Sequence, residues 1–205
     1  MFAICVKDKL CEICEASQRS GYLCQKIYCN NEFYDFDKII EKNWQNFGVF
    51  FSCPSSCDAL YPYNANTHFL FVEIKYRDWT CLQEEEEKIK FFKKFYDTLL
   101  AIYLYDSKIL CNFVVAFSPF KNNKLLCDDS YKEKSRILKF LKTEFGRFKN
   151  KEYYEITSKD IICFYNKKAK QRINLQDDII LRFKSFEPLA CSEIDNYIDE
   201  IENIE

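Results

Sequence analysis

The sequence predicts one α/β domain of the α+β kind, in which helices flank a central mixed β-sheet. The chain has 205 residues, of which 48% are hydrophobic, so it is long enough to bury a full core. Segments with helical spacing alternate with short segments rich in aromatic and β-branched residues, in the order helix, strand, strand, strand, helix, strand. This mixed order favours helices packed on a sheet, and we expect the domain to cover residues 32–205.

The composition excludes several common kinds of site. The only glycines are Gly21, Gly48 and Gly146, so a glycine-rich phosphate-binding loop is excluded. His68 is the only histidine, which excludes two-histidine metal sites and most histidine-based catalytic triads. The net charge of -2 gives no overall attraction to nucleic acid, so such binding would need local basic patches. The remaining chemistry is that of carboxylates, lysines and thiols.

The cysteines and the lack of a long apolar segment bear on the compartment. No apolar stretch is long enough to span a bilayer, and the first residues do not form a signal peptide, so we expect a cytoplasmic protein with no membrane partner. There, most of the twelve cysteines would be free thiols. Residues 1–31 are predicted to form a cysteine-rich cap, which holds either free thiols or a structural Zn²⁺. The predicted zinc ligands are Cys11, Cys14, Cys24 and Cys29.

The first half of the predicted domain contains a helix and two strands. Asp35 is a predicted N-cap, and apolar residues at helical spacing indicate a helix of about three turns that stops at Gly48. Residues 49–53 and 56–61 are predicted strands, and residues 62–66 supply the turn that reverses the chain.

The second half is predicted from similar signals. An acidic run at residues 84–87 begins a long helix, and residues 112–118 form a strand. Ser130 and Glu133 make a capping box at the start of another helix. Further strands are expected at residues 161–165 and 179–183, and a terminal helix follows Glu193 with apolar residues Ile194, Ile198 and Ile201.

Residues 67–77 form the strand around which the chain is organised. The stretch is apolar and aromatic, which predicts a buried strand, yet it contains Glu73 and Lys75 two positions apart. Because side chains alternate across a strand, Glu73 and Lys75 project from the same face. Charged groups in a core strand are usually paired or bound to a metal, so this pair indicates a site. The alternative is an ordinary ion pair at the polar end of a half-exposed strand.

The turn before this strand predicts a partner for Glu73. If the hairpin is centred between Ala65 and Asn66, Asp58 lies directly opposite Glu73, with Cβ atoms about 5 Å apart. Two such carboxylates repel each other unless a cation lies between them, and hard oxygen ligands favour Mg²⁺ or Mn²⁺. Lys75 would then act on the attacking water or on the developing charge of a phosphate. In the alternative interpretation, Asp58 only caps a turn.

At these residues the chain resembles the PD-(D/E)XK nuclease superfamily, the restriction-endonuclease-like fold. Asp58 matches the family's aspartate, and Glu73 and Lys75 match its acid-x-lysine tripeptide. The resemblance implies an αβββαβ core and a metal ion bound by Asp58, Glu73 and the main-chain carbonyl of Ile74. It also implies an acidic residue on the first helix, a role that Glu41 would fill. The implied activity is metal-dependent hydrolysis of phosphodiester bonds in DNA, with restriction or defence as a biological role.

Basic residues in two segments are candidates for nucleic-acid contacts. Lys88, Lys90, Lys93 and Lys94 follow the motif on the long helix, and a basic loop spans residues 167–172. The candidate residues of the loop are Lys167, Lys168, Lys170 and Arg172. Solvated helix faces have the same composition, so the alternative for the helix lysines is plain exposure.

Two alternatives remain open, one for the assembly of the protein and one for its function. A small, only locally basic nuclease would work as a homodimer or as a subunit of a larger assembly. The other function is that of a catalytically inactive nuclease-fold protein, which acts as a binding or scaffolding subunit and carries the structural zinc.

Overall fold

The computed structural model describes residues 7–9, 30–75, 84–117, 120–121, 124–125, 129–150, 152–190 and 193–203. It confirms the predicted fold class, because a mixed sheet is flanked by helices. The four predicted zinc ligands, Cys11, Cys14, Cys24 and Cys29, lie outside the described residues, as does most of the predicted cap.

The main sheet has six strands in the order β1-β2-β3-β4-β5-β11. Its strands are β1 (Lys7–Lys9), β2 (Glu32–Asp35), β3 (Ala59–Tyr63), β4 (His68–Lys75), β5 (Leu110–Phe117) and β11 (Ser185–Ala190). Neighbours from β1 to β4 are antiparallel, whereas β5 is parallel to both β4 and β11. Two small sheets comprise β6 (Phe120–Lys121) with β7 (Lys124–Leu125), and β8 (Lys149–Asn150) with β9 (Tyr153–Thr157) and β10 (Ile180–Phe183).

Five α-helices are described. They are α1 (Phe36–Asn43), α2 (Glu85–Tyr105), α3 (Asp129–Phe145), α4 (Ser158–Phe164) and α5 (Ile194–Asn203). The apolar terminal residues Ile194 and Ile198 are buried, which confirms the terminal helix predicted after Glu193.

Apolar side chains along β4 alternate between the two faces of the sheet, and each face is covered by helices. Phe69 and Phe71 lie in a large cluster with residues of α1, α2 and α3. Leu70 and Val72 point the other way, into a smaller cluster with α5. Complete burial of side chains such as Phe71 and Leu70 contributes about 1.5–3 kcal/mol each. The helix α2 therefore faces the side of β4 that also carries Glu73.

The helix α1 forms as the sequence predicts. The Asp35 side chain accepts a hydrogen bond from the Lys38 backbone N–H at 3.0 Å, which satisfies one of the free donors at the helix start. After the 3₁₀ turn Trp44–Phe47, Gly48 adopts φ +68°, a conformation that glycine enters without strain.

The hairpin of β3 and β4 has the predicted register. Ala59 pairs with Val72, and Tyr63 pairs with His68, so Asp58 precedes β3 opposite Glu73. The reversal is the tight turn Asn64–Asn66, whose residues all have positive φ. Pro62 was expected in this turn but lies in β3 opposite Phe69. The proline is tolerated because β2 pairs only with the first two residues of β3, so no ladder on that side needs its missing N–H.

The predicted strand at residues 49–53 is wrong. These residues have no regular structure, and the Phe51 side chain is 70% exposed. The strand next to β3 is instead β2, which precedes α1, so both edges of β3 are occupied by β2 and β4. The Val49 carbonyl accepts a hydrogen bond from the Asn174 backbone N–H, outside any sheet. The first strand of the meander thus precedes α1, so the described order is strand, helix, strand, strand, helix, strand and not the predicted helix, strand, strand, strand, helix, strand.

Two further predictions fail at helix starts. Residues 161–165 are not a strand, because Thr157 and Asp160 form a capping box that begins α4. Ile161 and Tyr165 then lie one turn apart and are both buried, a spacing that a short apolar run does not distinguish from a strand. The helix α3 begins at Asp129, so Ser130 lies inside it rather than at its N-cap.

Candidate functional site

Two buried carboxylates meet at one lysine. Asp58 is 6% exposed just before β3, and Glu73 is 3% exposed on β4. The Lys94 Nζ lies 3.1 Å from Asp58 Oδ1 and 3.1 Å from Glu73 Oε2. Lys94 belongs to α2, the helix packed on this face of the sheet. Three groups distant in sequence therefore converge, and we refer to Asp58, Glu73 and Lys94 as the acid-pair cluster.

The fold holds Asp58 in a fixed orientation. Its Oδ2 accepts a hydrogen bond from the Ile74 backbone N–H at 2.6 Å, and its own carbonyl accepts one from the Phe36 N–H at 3.1 Å. The first bond ties Asp58 to β4 and the second ties it to the start of α1. Asp58 is therefore a junction between the hairpin and the helix, not merely the cap of a turn.

Lys94 lies in an apolar stripe of α2. Its neighbours on that stripe are Phe91, Phe95 and Thr98, which are buried, whereas the Lys94 side chain remains 28% exposed. Burial alone would lower the pKa of Lys94, but the carboxylates of Glu73 and Asp58 raise it above its usual value. The lysine is therefore a charged ammonium group that serves as the cation between the two acids.

A third acid, Asp37, comes from the first turn of α1. Its Oδ1 accepts a short hydrogen bond from the Ser56 hydroxyl. Burial raises the pKa of Asp37 and the nearby Lys94 lowers it, while Asp37 in turn raises the pKa of Asp58. Glu41, the predicted acid of the first helix, lies one turn further along and is exposed. The residue of α1 that acts on the cluster is thus Asp37.

The acid-pair cluster carries more negative charge than its lysine neutralises. Burial and the neighbouring Glu73 raise the pKa of Asp58 to about 7, against the opposing effects of Lys94 and the Ile74 N–H. The acid pair therefore takes up a proton more readily than an isolated carboxyl group does. A bound divalent cation would compete with this proton and with the Lys94 ammonium for the same oxygens.

A second polar cluster on α2 holds the loop that leads to Asp58. Asp97 Oδ2 accepts hydrogen bonds from the Ser55 N–H at 2.8 Å and from Lys93 Nζ at 2.7 Å. The Tyr165 hydroxyl donates a short bond to Asp97 Oδ1. Burial raises the pKa of Asp97 to about 6, against the opposing effect of Lys93. We refer to Lys93, Asp97 and Tyr165 as the loop-anchor cluster.

One further bond fixes the same loop. The Cys57 backbone N–H donates to Thr98 Oγ1 at 2.9 Å, and both residues are buried. Residues 53–58 have no helix or sheet bonds of their own, so α2 supplies partners for their backbone. Side chains of α2 therefore fix the loop before Asp58, while β4 and the start of α1 fix Asp58 itself.

The remaining predicted residues of the motif are only partly defined. Lys75 ends β4, where its backbone is paired in register with Phe117, and its side chain lies outside what the structure describes. The Ile74 N–H points toward Asp58. Because the two polar groups of a strand residue face the same neighbour, the Ile74 carbonyl is directed to that side as well.

Several of the predicted nucleic-acid contacts are engaged with acids. Lys88 pairs with Glu85 and Glu144, Lys93 with Asp97, and Lys168 with Glu85. The predicted basic loop begins as a π-helical turn, Tyr165–Ala169. Its exposed residues that form no ion pair with any residue described in the structure are Lys167, Lys170 and Arg172.

The carboxylate oxygens of the acid-pair cluster suit a hard cation, provided that the Lys94 side chain moves away from them. Carboxylate oxygens are the ligands that Mg²⁺ and Mn²⁺ prefer. Within the described residues, no three His, Cys, Asp or Glu side chains are grouped so as to hold a metal ion. Asp58 and Glu73 would be the protein ligands, with the Ile74 carbonyl, once the Lys94 side chain moved away.

Lys94, Asp37 and Asp97 were not among the predicted catalytic residues, although the sequence contains a signal for two of them. Lys94 and Asp97 interrupt the apolar spacing of α2, in a segment where Phe95–Ile102 is continuously buried. A charged residue inside such a segment needs a partner. Asp37 gave no such signal, because the first turn of a helix favours acidic residues anyway.

Comparison of the chain with protein-family models, with curated proteins and with solved structures finds no match. In the part of the chain that the structure describes, no helix has the length and apolarity needed to cross a membrane.

Proposed function

We propose that this protein is a metal-dependent nuclease that hydrolyses phosphodiester bonds, with DNA as its substrate. The observation that carries the proposal is the convergence of Asp58 and Glu73 on the Lys94 ammonium, 3.1 Å from each. Two acids and an amine are the groups that such hydrolysis uses to bind a cation and to stabilise a phosphate. The resemblance to PD-(D/E)XK nucleases at Asp58, Glu73 and Lys75 supports the same chemistry.

Each residue of the site has a role in this proposal. When bound, an Mg²⁺ or Mn²⁺ ion supplies an activated water and polarises the phosphate. Asp58 and Glu73 would hold it, with the acid pair deprotonated and the Lys94 side chain moved away from both carboxylates. The Lys94 ammonium would then be available to stabilise negative charge on the phosphate, since it lies 3.1 Å from each acid. Lys75 keeps its predicted role toward the water or the phosphate.

The reducing compartment and the partners belong to the same proposal. In the described part of the chain, Cys53, Cys57, Cys111 and Cys163 are free thiols, and free thiols persist in a reducing compartment such as the cytoplasm. Lys167, Lys170 and Arg172 supply exposed positive charge for the DNA backbone. A homodimer or a larger assembly would widen this small basic surface.

A plasmid and a linear DNA, each incubated with Mg²⁺, Mn²⁺ or EDTA, test the proposal. We expect wild-type protein to cut with either metal and not with EDTA. Asp58→Asn and Glu73→Gln should each lower the rate at least about 100-fold, because both remove a ligand charge. Glu41→Gln, on an exposed residue of α1, is the matched control and should leave the rate unchanged. Metal-independent cutting, or equal rates in wild type and Glu73→Gln, would refute the proposal.

The bridging lysine itself favours a second function. Lys94 neutralises much of the charge that a metal would otherwise bind, which is what an inactive nuclease-fold scaffolding subunit would require. Titration with Mn²⁺ followed by calorimetry separates the two functions. If wild type binds no Mn²⁺ but Lys94→Met does, the lysine replaces the metal and the scaffolding function holds. If wild type binds Mn²⁺ and Glu73→Gln does not, the nuclease function holds.

A further inference from the structure

A cleft lies on the side of α2 turned away from the sheet. The cleft has a volume of about 360 Å³ and is formed by α2, the end of α3, α4 and the turn that follows α4. Its α2 residues include Phe92 and Tyr96, each two positions from Lys94 and thus about 200° around the helix from it. The volume lies in the range of pockets that bind small molecules. The cleft shares no residue with the acid-pair cluster.

The floor of the cleft is aromatic. The Phe164 ring lies 4.9 Å from the Tyr96 ring and 6.5 Å from the Phe92 ring, centre to centre. Phe92 and Tyr96 are buried, whereas Phe164 is half-buried and leaves part of its ring open to the cleft. An exposed ring backed by two others is a rigid surface on which a planar heterocycle stacks.

Basic side chains line one side of this floor. Lys167 is exposed and forms no ion pair with any of the residues described, and Lys168 pairs with Glu85 at 3.0 Å. Both come from the turn Tyr165–Ala169, directly after Phe164. Arg147 is engaged in a hydrogen bond with Tyr96, so it supports the floor. The two lysines are therefore positioned to bind a phosphate next to a stacked ring.

Acidic side chains limit what the cleft accepts. Glu144 and Asp160 also line it, and Glu144 lies 3.7 Å from Lys88. Carboxylates accept hydrogen bonds from the amino groups of a base, but they repel a ligand that carries several negative charges. A ring with amino groups and a single phosphate fits this mixture better than a polyphosphate does.

We propose that the cleft binds a nucleotide, with its base against Phe164 and its phosphate on Lys167 and Lys168. A free nucleoside monophosphate and the phosphorylated end of a nucleic acid strand present the same groups. Binding here involves none of Asp58, Glu73 and Lys94, so it holds or fails independently of the hydrolysis proposed above.

Calorimetric titration with adenosine monophosphate, adenosine and inorganic phosphate tests the cleft. We expect the monophosphate to bind saturably, and the other two to bind at least about tenfold more weakly, because each lacks one half of the contacts. The Lys167→Ala/Lys168→Ala double variant should lower the affinity for the monophosphate at least about tenfold. Phe164→Leu should weaken binding of the monophosphate but not of inorganic phosphate.

The neighbouring basic residues provide a matched control. Lys149 and Lys159 are exposed but do not line the cleft, so Lys149→Ala/Lys159→Ala should bind like wild type. An equal loss in both double variants, or no saturable binding of the monophosphate or of an oligonucleotide, would overturn the proposal. Circular dichroism and thermal unfolding verify that each variant is folded.

Two oligonucleotides distinguish the sources of the ligand. A short single strand with a 5′-phosphate is compared with the same strand without it. Tighter binding of the phosphorylated strand than of the monophosphate assigns the cleft to a strand end. Equal or weaker binding of that strand assigns it to a free nucleotide.

Discussion

The two polar clusters of α2 are close in sequence but differ in their balance of acidic and basic groups. In the loop-anchor cluster one carboxylate, Asp97, has one lysine, and its oxygens also accept bonds from Ser55 and Tyr165. In the acid-pair cluster two carboxylates share the single ammonium of Lys94. The first is neutral and supplied with partners, which suits a structural role. With both of its acids ionised, the second has an excess negative charge, so it is the cluster suited to take up a cation.

The largest effect is expected where the loop-anchor cluster is broken. Asp97→Ala leaves the Lys93 ammonium and the Ser55 N–H without their acceptor in a buried setting. We expect a loss of roughly 3–5 kcal/mol in the free energy of unfolding. Urea denaturation followed by circular dichroism measures this loss. A loss below about 1 kcal/mol would contradict the anchoring role, and Glu41→Ala on the surface of α1 serves as the control.

Removal of the lysines should separate the two clusters by their response to metal. Lys94→Met leaves Asp58 and Glu73 facing each other, at a cost of about 2 kcal/mol, and millimolar Mn²⁺ should restore that stability. Lys93→Met leaves only Asp97, so Mn²⁺ should restore nothing. Thermal unfolding of both variants with and without Mn²⁺ provides the measurement. An equal response of the two variants would mean that the acid pair does not bind a cation.

The pH dependence of stability should identify the titrating acid. The folded protein binds the Asp58 proton more tightly than the unfolded chain does, because the pKa of Asp58 is raised to about 7. Stability from this group therefore falls as pH rises from about 4 to 7, by at most about 1.4 kcal/mol per pH unit. Asp97, with a pKa of about 6, contributes the same trend up to about pH 6. Asp58→Asn should flatten the curve between pH 6 and 7, as measured by urea denaturation, and an unchanged slope would refute this assignment.

The smallest effect is expected at the rim of the loop-anchor cluster. Tyr165→Phe removes one hydrogen bond to Asp97 but leaves Ser55 and Lys93 in place, and the ring still fills its buried position. We expect a loss of about 1 kcal/mol in the free energy of unfolding. Differential scanning calorimetry would detect it, and a loss as large as that of Asp97→Ala would show that the hydroxyl is the main partner of Asp97.

The hairpin and α1 could be predicted from the sequence because their signals are local. A capping aspartate, a terminal glycine and a turn centred between Ala65 and Asn66 define their ends within a few residues. The same register puts Asp58 opposite Glu73. Residues 49–53 and 161–165 were misassigned, since a short apolar run fits a strand, a helix or an irregular segment equally well.

The sequence signals that Lys94 needs a partner, but its pairing with the two acids could not be predicted from it. The hairpin register relates Asp58 to Glu73, but nothing local relates either acid to Lys94, which lies 36 positions after Asp58 and 21 after Glu73. The contact depends on how α2 is rotated against the sheet, which is decided by Phe91, Phe95 and the rest of its buried stripe. Lys75 was predicted from the acid-x-lysine motif alone, whereas the contacts of Lys94 with the acids are seen only in the folded structure.

The burial of α2 limits how the site can open. Over Phe95–Ile102 every residue is buried, because the sheet covers one side of the helix and the other elements cover the rest. Displacement of such a helix would disrupt the whole core, so a hinge motion of α2 would be too costly to open the acid-pair cluster. The Lys94 side chain can instead swing between rotamers, a change that takes nanoseconds in partly exposed residues. Rotation of the four methylene groups of Lys94 then controls access to the carboxylates. The site can therefore open and close quickly while the backbone stays in place.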